Sequence, residues 1–213
     1  MKDIIIVCAG STAIEVFTLI ETINQYAVNK GENKKYNLLG FIEDNVNVSL
    51  PAFVHVPILG NIKDWVPTGN EVYAMGNADP KTKEKIATLL KSRGCIFETL
   101  ILPYGHVKPY VKIGEGCIIT SYAINNGAQI GDFVNIMGSM IGGHAIIGDY
   151  STTLGFANIP NSTIGKRVYI GSHAVVLGPS VGDDAEVCVG SIVINKVKAG
   201  TKVFGNPAKR VDW

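Results

Sequence analysis

Charge is scarce in this 213-residue sequence: 17% of its residues are Asp, Glu, Lys or Arg, and they nearly cancel to a formal net charge of +1. No basic run is present, which argues against nucleic acid or an anionic membrane surface as a partner. The short clusters Lys34-Lys35 and 81–85 read as solvated faces. Cysteine is limited to Cys8, Cys95, Cys117 and Cys188, widely spaced and without a Cys-x-x-Cys pair. That spacing excludes a zinc ribbon or a dithiol redox centre and is that of free buried thiols. The apolar run at 4–9 is too short for a signal peptide or a membrane span, so a soluble cytoplasmic protein without membrane insertion is expected. The sequons at Asn47 and Asn161 would go unused there. No G-x-G-x-x-G is present, so NAD is not indicated, and the spacing of the histidines suggests no metal.

What the sequence does have is 24 glycines and a stride. Ile or Val followed by Gly recurs at Ile113-Gly114, Ile130-Gly131, Ile147-Gly148, Ile164-Gly165 and Val181-Gly182, each pair 17 residues after the last. A fixed stride means stacked copies of one structural unit. Within a unit the apolar positions step by six, five and six. This predicts inward side chains at 113, 119, 124, 130, 136, 141, 147, 153, 158, 164, 170, 175, 181, 187, 192 and 198. Thirteen of these sixteen are Ile or Val, the exceptions being Thr153, Asn158 and Lys198. Neither a helix nor simple alternation makes that pattern. Three short flat faces per coil do, which is a β-solenoid rather than a sandwich. Asn158, inward on this grid, would need a hydrogen-bond partner among the Ile and Val columns.

The first half reads differently. The run at 3–9 suits a strand buried on both faces of a parallel sheet. Gly10-Ser11-Thr12 follows, then a helical pattern over 13–29, then a strand over 36–42 that ends in Glu43-Asp44-Asn45. Strand, glycine turn, helix and strand with an acid at its end is a βαβ nucleotide-binding unit. Its helix amino terminus can hold a phosphate on free backbone N–H groups. A helix over 79–93, opened by Asp79-Pro80, leads to a strand over 96–101. Pro103-Tyr104-Gly105 marks the expected boundary, giving an α/β unit at 1–104 and an all-β solenoid at 105–213.

The stride, with the closing Gly205-Asn206-Pro207-Ala208-Lys209-Arg210, resembles the hexapeptide-repeat left-handed parallel β-helix of acyltransferases that use acetyl-CoA. The segments Val7-Cys8-Ala9-Gly10-Ser11-Thr12-Ala13-Ile14-Glu15-Val16, Leu39-Gly40-Phe41-Ile42-Glu43-Asp44-Asn45, Pro57-Ile58-Leu59-Gly60 and Ala74-Met75-Gly76-Asn77 match the rest of one such family in order and spacing. That family is the sugar O/N-acyltransferases of the sialic acid O-acetyltransferase and bacillosamine N-acetyltransferase type. The resemblance implies a Rossmann-like domain for a nucleotide-linked amino sugar, acetyl-CoA as co-substrate, a homotrimer and a role in surface polysaccharide or glycan synthesis.

Acetyl transfer needs a base for the acceptor proton, and histidine is the usual one. The family's segment Ile-x-His-Asp/Glu-x-x-Ile-Gly corresponds to Ile141-Gly142-Gly143-His144-Ala145-Ile146-Ile147-Gly148. The family's histidine therefore falls on Gly143, and His144 stands one position along. Two further family histidines fall on Thr152 and Thr12, and each coil is one residue shorter than the usual eighteen. His144 is the expected base. Gly10, Ser11, Glu43 and Asp44 are the expected acceptor contacts, and the resemblance implies Gly190, Lys209 and Arg210 for CoA. His173 is expected to face solvent or stack between coils, and His106 and His55 to be structural. A second reading stays open: a catalytically silent trimeric relative that binds a sugar nucleotide or a partner enzyme as a scaffold.

Overall fold

The computed structural model describes residues 1–45 and 47–212. Four parallel strands, β1 (Lys2–Val7), β2 (Tyr36–Ile42), β3 (Ile58–Gly60) and β4 (Glu71–Met75), form a sheet in the order β3-β2-β1-β4. The apolar run of β1 is buried on both faces, because alternate residues serve different cores. Ile4 and Ile6 pack with Ala13, Phe17 and Ile20 of α1 (Ser11–Asn29). Ile5 and Val7 pack with Ala87 and Leu90 of α2 (Pro80–Ser92). Asp79 caps α2 by accepting a 2.8 Å hydrogen bond from the Thr82 amide, with Pro80 at the first helical position.

The expected strand over 96–101 is regular only at β5 (Leu100–Ile101), which pairs with Ile118–Ile119 and so opens the solenoid ahead of the Pro103-Tyr104-Gly105 turn. From there the chain winds as a three-faced parallel β-helix. Face 1 carries Ile118–Ile119, Asn135–Ile136, Thr152–Thr153, Tyr169–Ile170 and Glu186–Val187, and is closed by the hairpin Lys202–Gly205 and Ala208–Val211. Face 2 runs from His106–Val107 to Ile192–Val193, and face 3 from Lys112–Ile113 to Ser180–Val181.

The register departs from the predicted grid on face 2. Ile141 pairs with Ile159, eighteen residues on, and from there the inward residues are Ile159, Val176 and Val193 rather than Asn158, Val175 and Ile192. Val197, not Lys198, is buried at the end. Of the sixteen inward positions so corrected, only Thr153 is neither Ile nor Val. Asn158 thus faces outward and places no polar group in the core. The cause is a migrating corner: the five-residue step lies between faces 1 and 2 in the early coils and between faces 2 and 3 after Pro160. A buried serine marks the short corners of three successive coils. Ser121 Oγ donates to Ser139 O at 2.5 Å, Ser139 Oγ shares a 2.5 Å bond with Thr153 Oγ1, and Ser162 Oγ reaches the Val176 and Gly178 carbonyls.

Each corner also holds a left-handed residue that recurs with the stride. Between faces 3 and 1 these are Gly116, Phe133, Tyr150, Arg167 and Asp184, with φ between 54° and 64°. Their side chains stack outside the coils: Phe133 on Tyr150 at 5.3 Å, and Arg167 in a bidentate pair with Asp184. Helix α2 docks along this column, with Lys91 over Phe133 and Glu84 on Arg167. Lys83, fully buried, joins the two parts: its Nζ donates to Thr152 Oγ1 at 3.0 Å and Ser151 O at 3.3 Å. Burial pushes its ammonium down to about 7, against the weaker pull of Asp79 and Cys117.

Two outcomes are expected. Ile159→Ala costs about 2–5 kcal/mol of unfolding free energy, while Asn158→Ala stays within about 0.5, measured by denaturant titration; equal costs would restore the uncorrected register. Lys83 binds fewer protons folded than unfolded between about pH 7 and its ordinary value, so stability rises with pH there. Lys83→Met leaves both acceptors with other donors or acceptors, since Ser151 O also takes the Asn135 amide and Thr152 donates to Ala78 O. It should raise Tm at pH 7 and flatten the rise between pH 7 and 9.

Candidate active site

Two clefts meet at the amino end of α1. The first, about 470 Å³, opens at the carboxyl ends of β1, β2 and β4. The strand order diverges there, with β2 on one side of β1 and β4 on the other, which leaves a crevice at the strand ends. Gly10, Ser11 and Thr12 line it from the turn after β1, Glu43 and Asp44 from the end of β2, and Asn77 from the end of β4. Gly76 permits this closeness: a Cβ there would lie 2.6 Å from that of Ala13. Cys8 takes a left-handed φ of 73° at the tip of β1, a strained position of the kind found at ligand sites.

The chemistry of this cleft follows from its backbone. Gly10 caps α1 without a side-chain acceptor, so the first-turn amides have no intrahelical partner and suit an anion. Glu43 accepts the Ala9 amide on one oxygen and the Asn45 amide on the other, both at 2.8 Å, which pins the turn after β1 to the end of β2. Asp44 lines the cleft and accepts the Lys63 amide on one carboxylate oxygen at 3.0 Å, which leaves the carboxylate capacity for a hydroxyl donor. Burial pushes the Cys8 thiol up to about 11, so it stays protonated and is no nucleophile.

The second cleft, about 630 Å³, shares Ser11, Thr12 and Ala78 with the first and continues onto the corner between faces 1 and 2. Gly138, Gly155 and Ser172 line it there, with Glu15 and Tyr122 on its walls.

Gly10, Ser11, Glu43 and Asp44 therefore converge as expected. The other expected residues lie elsewhere. His144 sits on the corner between faces 2 and 3, exposed, with φ 58°. Its amide donates to Asn126 O, and its imidazole lies over Gly127, where a Cβ would come within 2.8 Å of Nδ1. Gly190 occupies a left-handed, open position on the corner between faces 1 and 2. Lys209 and Arg210 stand on the closing hairpin, Arg210 paired with Asp212. Thr152 is buried at the junction, and His173 stacks on Phe156 at 5.0 Å. Among the described residues no group of three His, Cys, Asp or Glu could hold a metal ion. Sequence reasoning missed Glu15, although it lies one helical turn after Ser11 and so shares its face of α1.

No protein-family model and no curated protein matches the sequence. Solved structures do match over the full length. The acetyltransferase domain of PglB from Neisseria gonorrhoeae is 17% identical, with a TM-score of 0.79 over 99% of this chain and 100% of that one; it has also been solved with acetyl coenzyme A. A point mutant of perosamine N-acetyltransferase from Caulobacter crescentus, in complex with CoA and GDP-perosamine, is 17% identical, with a TM-score of 0.78 over 100% and 98%. WeeI from Acinetobacter baumannii is 24% identical, with a TM-score of 0.80 over 99% and 100%. This chain thus has, from end to end, the fold of these proteins, sheet and solenoid together.

Proposed function

We propose that the chain is an acetyl-CoA-dependent acetyltransferase acting on a nucleotide-linked amino sugar or a sialic-acid-like sugar, in surface polysaccharide or glycan synthesis. The observation that carries this reading is the cleft at the α1 amino end, which continues onto a solenoid corner within a fold shared with proteins solved with CoA and GDP-perosamine. Residues 1–104 are read as a Rossmann-like nucleotide-binding domain and 105–213 as the acyltransferase solenoid. The diphosphate would lie on the first-turn amides and the Ser11 hydroxyl, and nucleoside hydroxyls on Asp44, with Glu43 holding the turn. Acetyl-CoA would run past Gly190, its phosphates on Lys209 and Arg210.

His144 and the cleft lie on different edges of one chain, so a second copy must complete the site. Face 1 is covered by the α/β unit, and face 3 turns Lys112, Gln129, Ile146, Thr163 and Ser180 outward. Face 2 turns out Ala123, Met140, Val175 and Ile192 along with His106 and Asn158, beside exposed Leu177 and Ile194, and is the more apolar of the two. That apolar face is the one water favours covering. A homotrimer packed along it would bring the His144 corner of one copy to the cleft corner of the next. There His144 would take the acceptor proton as the acceptor attacks the thioester carbon and the CoA thiolate departs. The packing of His144 on Gly127 and the Gly143 and Thr152 positions favour the second reading, a silent scaffold that binds the sugar nucleotide alone.

Thiol release from acetyl-CoA, assayed with UDP-, GDP- and CMP-linked amino sugars, separates the two. The transferase shows turnover that His144→Ala lowers about 100-fold or more, with the oligomer intact by sedimentation. Full turnover in that variant would move the base elsewhere. Nucleotide-sugar binding without any turnover would establish the scaffold.

A further inference from the structure

The second cleft contains one charged side chain. Glu15 reaches it from α1, and no Lys, Arg or His lines either this cleft or its shallow extension over Ile14, Thr18 and Tyr104. Among the described residues the Glu15 carboxylate has neither a hydrogen-bond donor nor an ion-pair partner. Glu15 is exposed at the cleft wall, and the desolvation it does undergo, without such a partner, shifts its carboxyl upward from the ordinary carboxylate range. The remaining lining combines an apolar floor, Leu102, Met137 and Leu154, with the hydroxyls of Tyr122, Tyr169 and Ser172. Apolar surface with a few placed hydroxyls suits a sugar ring, and nothing in the lining besides Glu15 distinguishes a charged substituent from a neutral one. Because Ser11 and Thr12 belong to both clefts, a diphosphate seated on the α1 amides would place its sugar in the second.

We propose that Glu15 selects a cationic acceptor, so that the sugar presents a primary ammonium group and the transfer is N-acetylation rather than O-acetylation. This rests on the nucleotide-sugar transferase reading above. An unpaired carboxylate at a cleft wall gains a charge-assisted hydrogen bond from an ammonium and a weaker neutral one from a hydroxyl. In the transfer the ammonium gives one proton to the base, and its freed lone pair forms the C–N bond to the thioester carbon. The C–S bond breaks with its electron pair on sulfur, and the thiolate takes the nitrogen's second proton. Glu15 keeps its charge throughout and acts by holding the acceptor, so it is a specificity residue. A purely structural role, as a negative charge near the helix start, would change stability without changing this selectivity.

Calorimetry on wild type and Glu15→Gln tests this. The probes are UDP, GDP and two matched pairs that differ only in amine against hydroxyl at the sugar C4. These are GDP-perosamine with GDP-rhamnose, and UDP-4-amino-4,6-dideoxyglucose with UDP-6-deoxyglucose. Wild type is expected to bind the amine-bearing member of one pair about 10- to 100-fold more tightly than its partner. Glu15→Gln should abolish that preference while leaving the nucleoside diphosphate's affinity unchanged. A preference that survives in Glu15→Gln, or no preference in wild type, overturns the role of Glu15 alone. Failure of wild type to bind UDP, GDP or any of the four sugars overturns the nucleotide reading itself, and this inference with it.

Discussion

Every coil must bury one branched side chain on each of three faces, and that single demand governs the second half of the molecule. Fully burying an Ile or Val stabilises by roughly 1.5–3 kcal/mol, but a coil buries its three only on the coils above and below. The coils are thereby kept in register, and the interior columns are filled by Ile and Val at every inward position but Thr153. Chemistry is pushed to the corners and outward faces, where the left-handed positions repeat. The corner column of Phe133, Tyr150, Arg167 and Asp184 shows the consequence, because stacked outward side chains become the rail on which α2 docks. The α/β unit is therefore fixed against face 1 by the solenoid's own periodicity.

The solenoid was legible from its Ile-Gly and Val-Gly pairs because burial is periodic and periodicity survives in sequence. The shift at Asn158 was not, since a corner can give a residue to its neighbour without changing the stride. Asn158-Ile159, Val175-Val176 and Ile192-Val193 each offer two adjacent positions, and in the last two either residue would satisfy an apolar grid. The serines at 121, 139 and 162 carried the missing signal, as buried hydroxyls that bond next-coil carbonyls or, for Ser139, the Thr153 hydroxyl at short corners. In the α/β half, the cleft residues were legible because strand ends and helix starts adjoin in sequence. Glu15 and the wall tyrosines were not, because their convergence depends on how α1 lies against a corner more than a hundred residues away.

The two halves divide the proposed chemistry. The α/β unit offers amides, hydroxyls and Glu43-braced backbone for an anionic nucleotide, and the solenoid offers an apolar face, open corners and a basic hairpin. Neither half holds both the expected base and the cleft, so the proposed chemistry calls for a second copy packed along face 2.

The most direct measurement is a calorimetric titration of the purified protein with acetyl-CoA and, separately, with nucleotide-linked sugars, at protein concentrations that hold the oligomer together. The account predicts saturable binding of both ligand classes, with one site of each per chain. Binding of neither class, or of acetyl-CoA with no nucleotide-linked sugar, would contradict a cleft built for a sugar nucleotide.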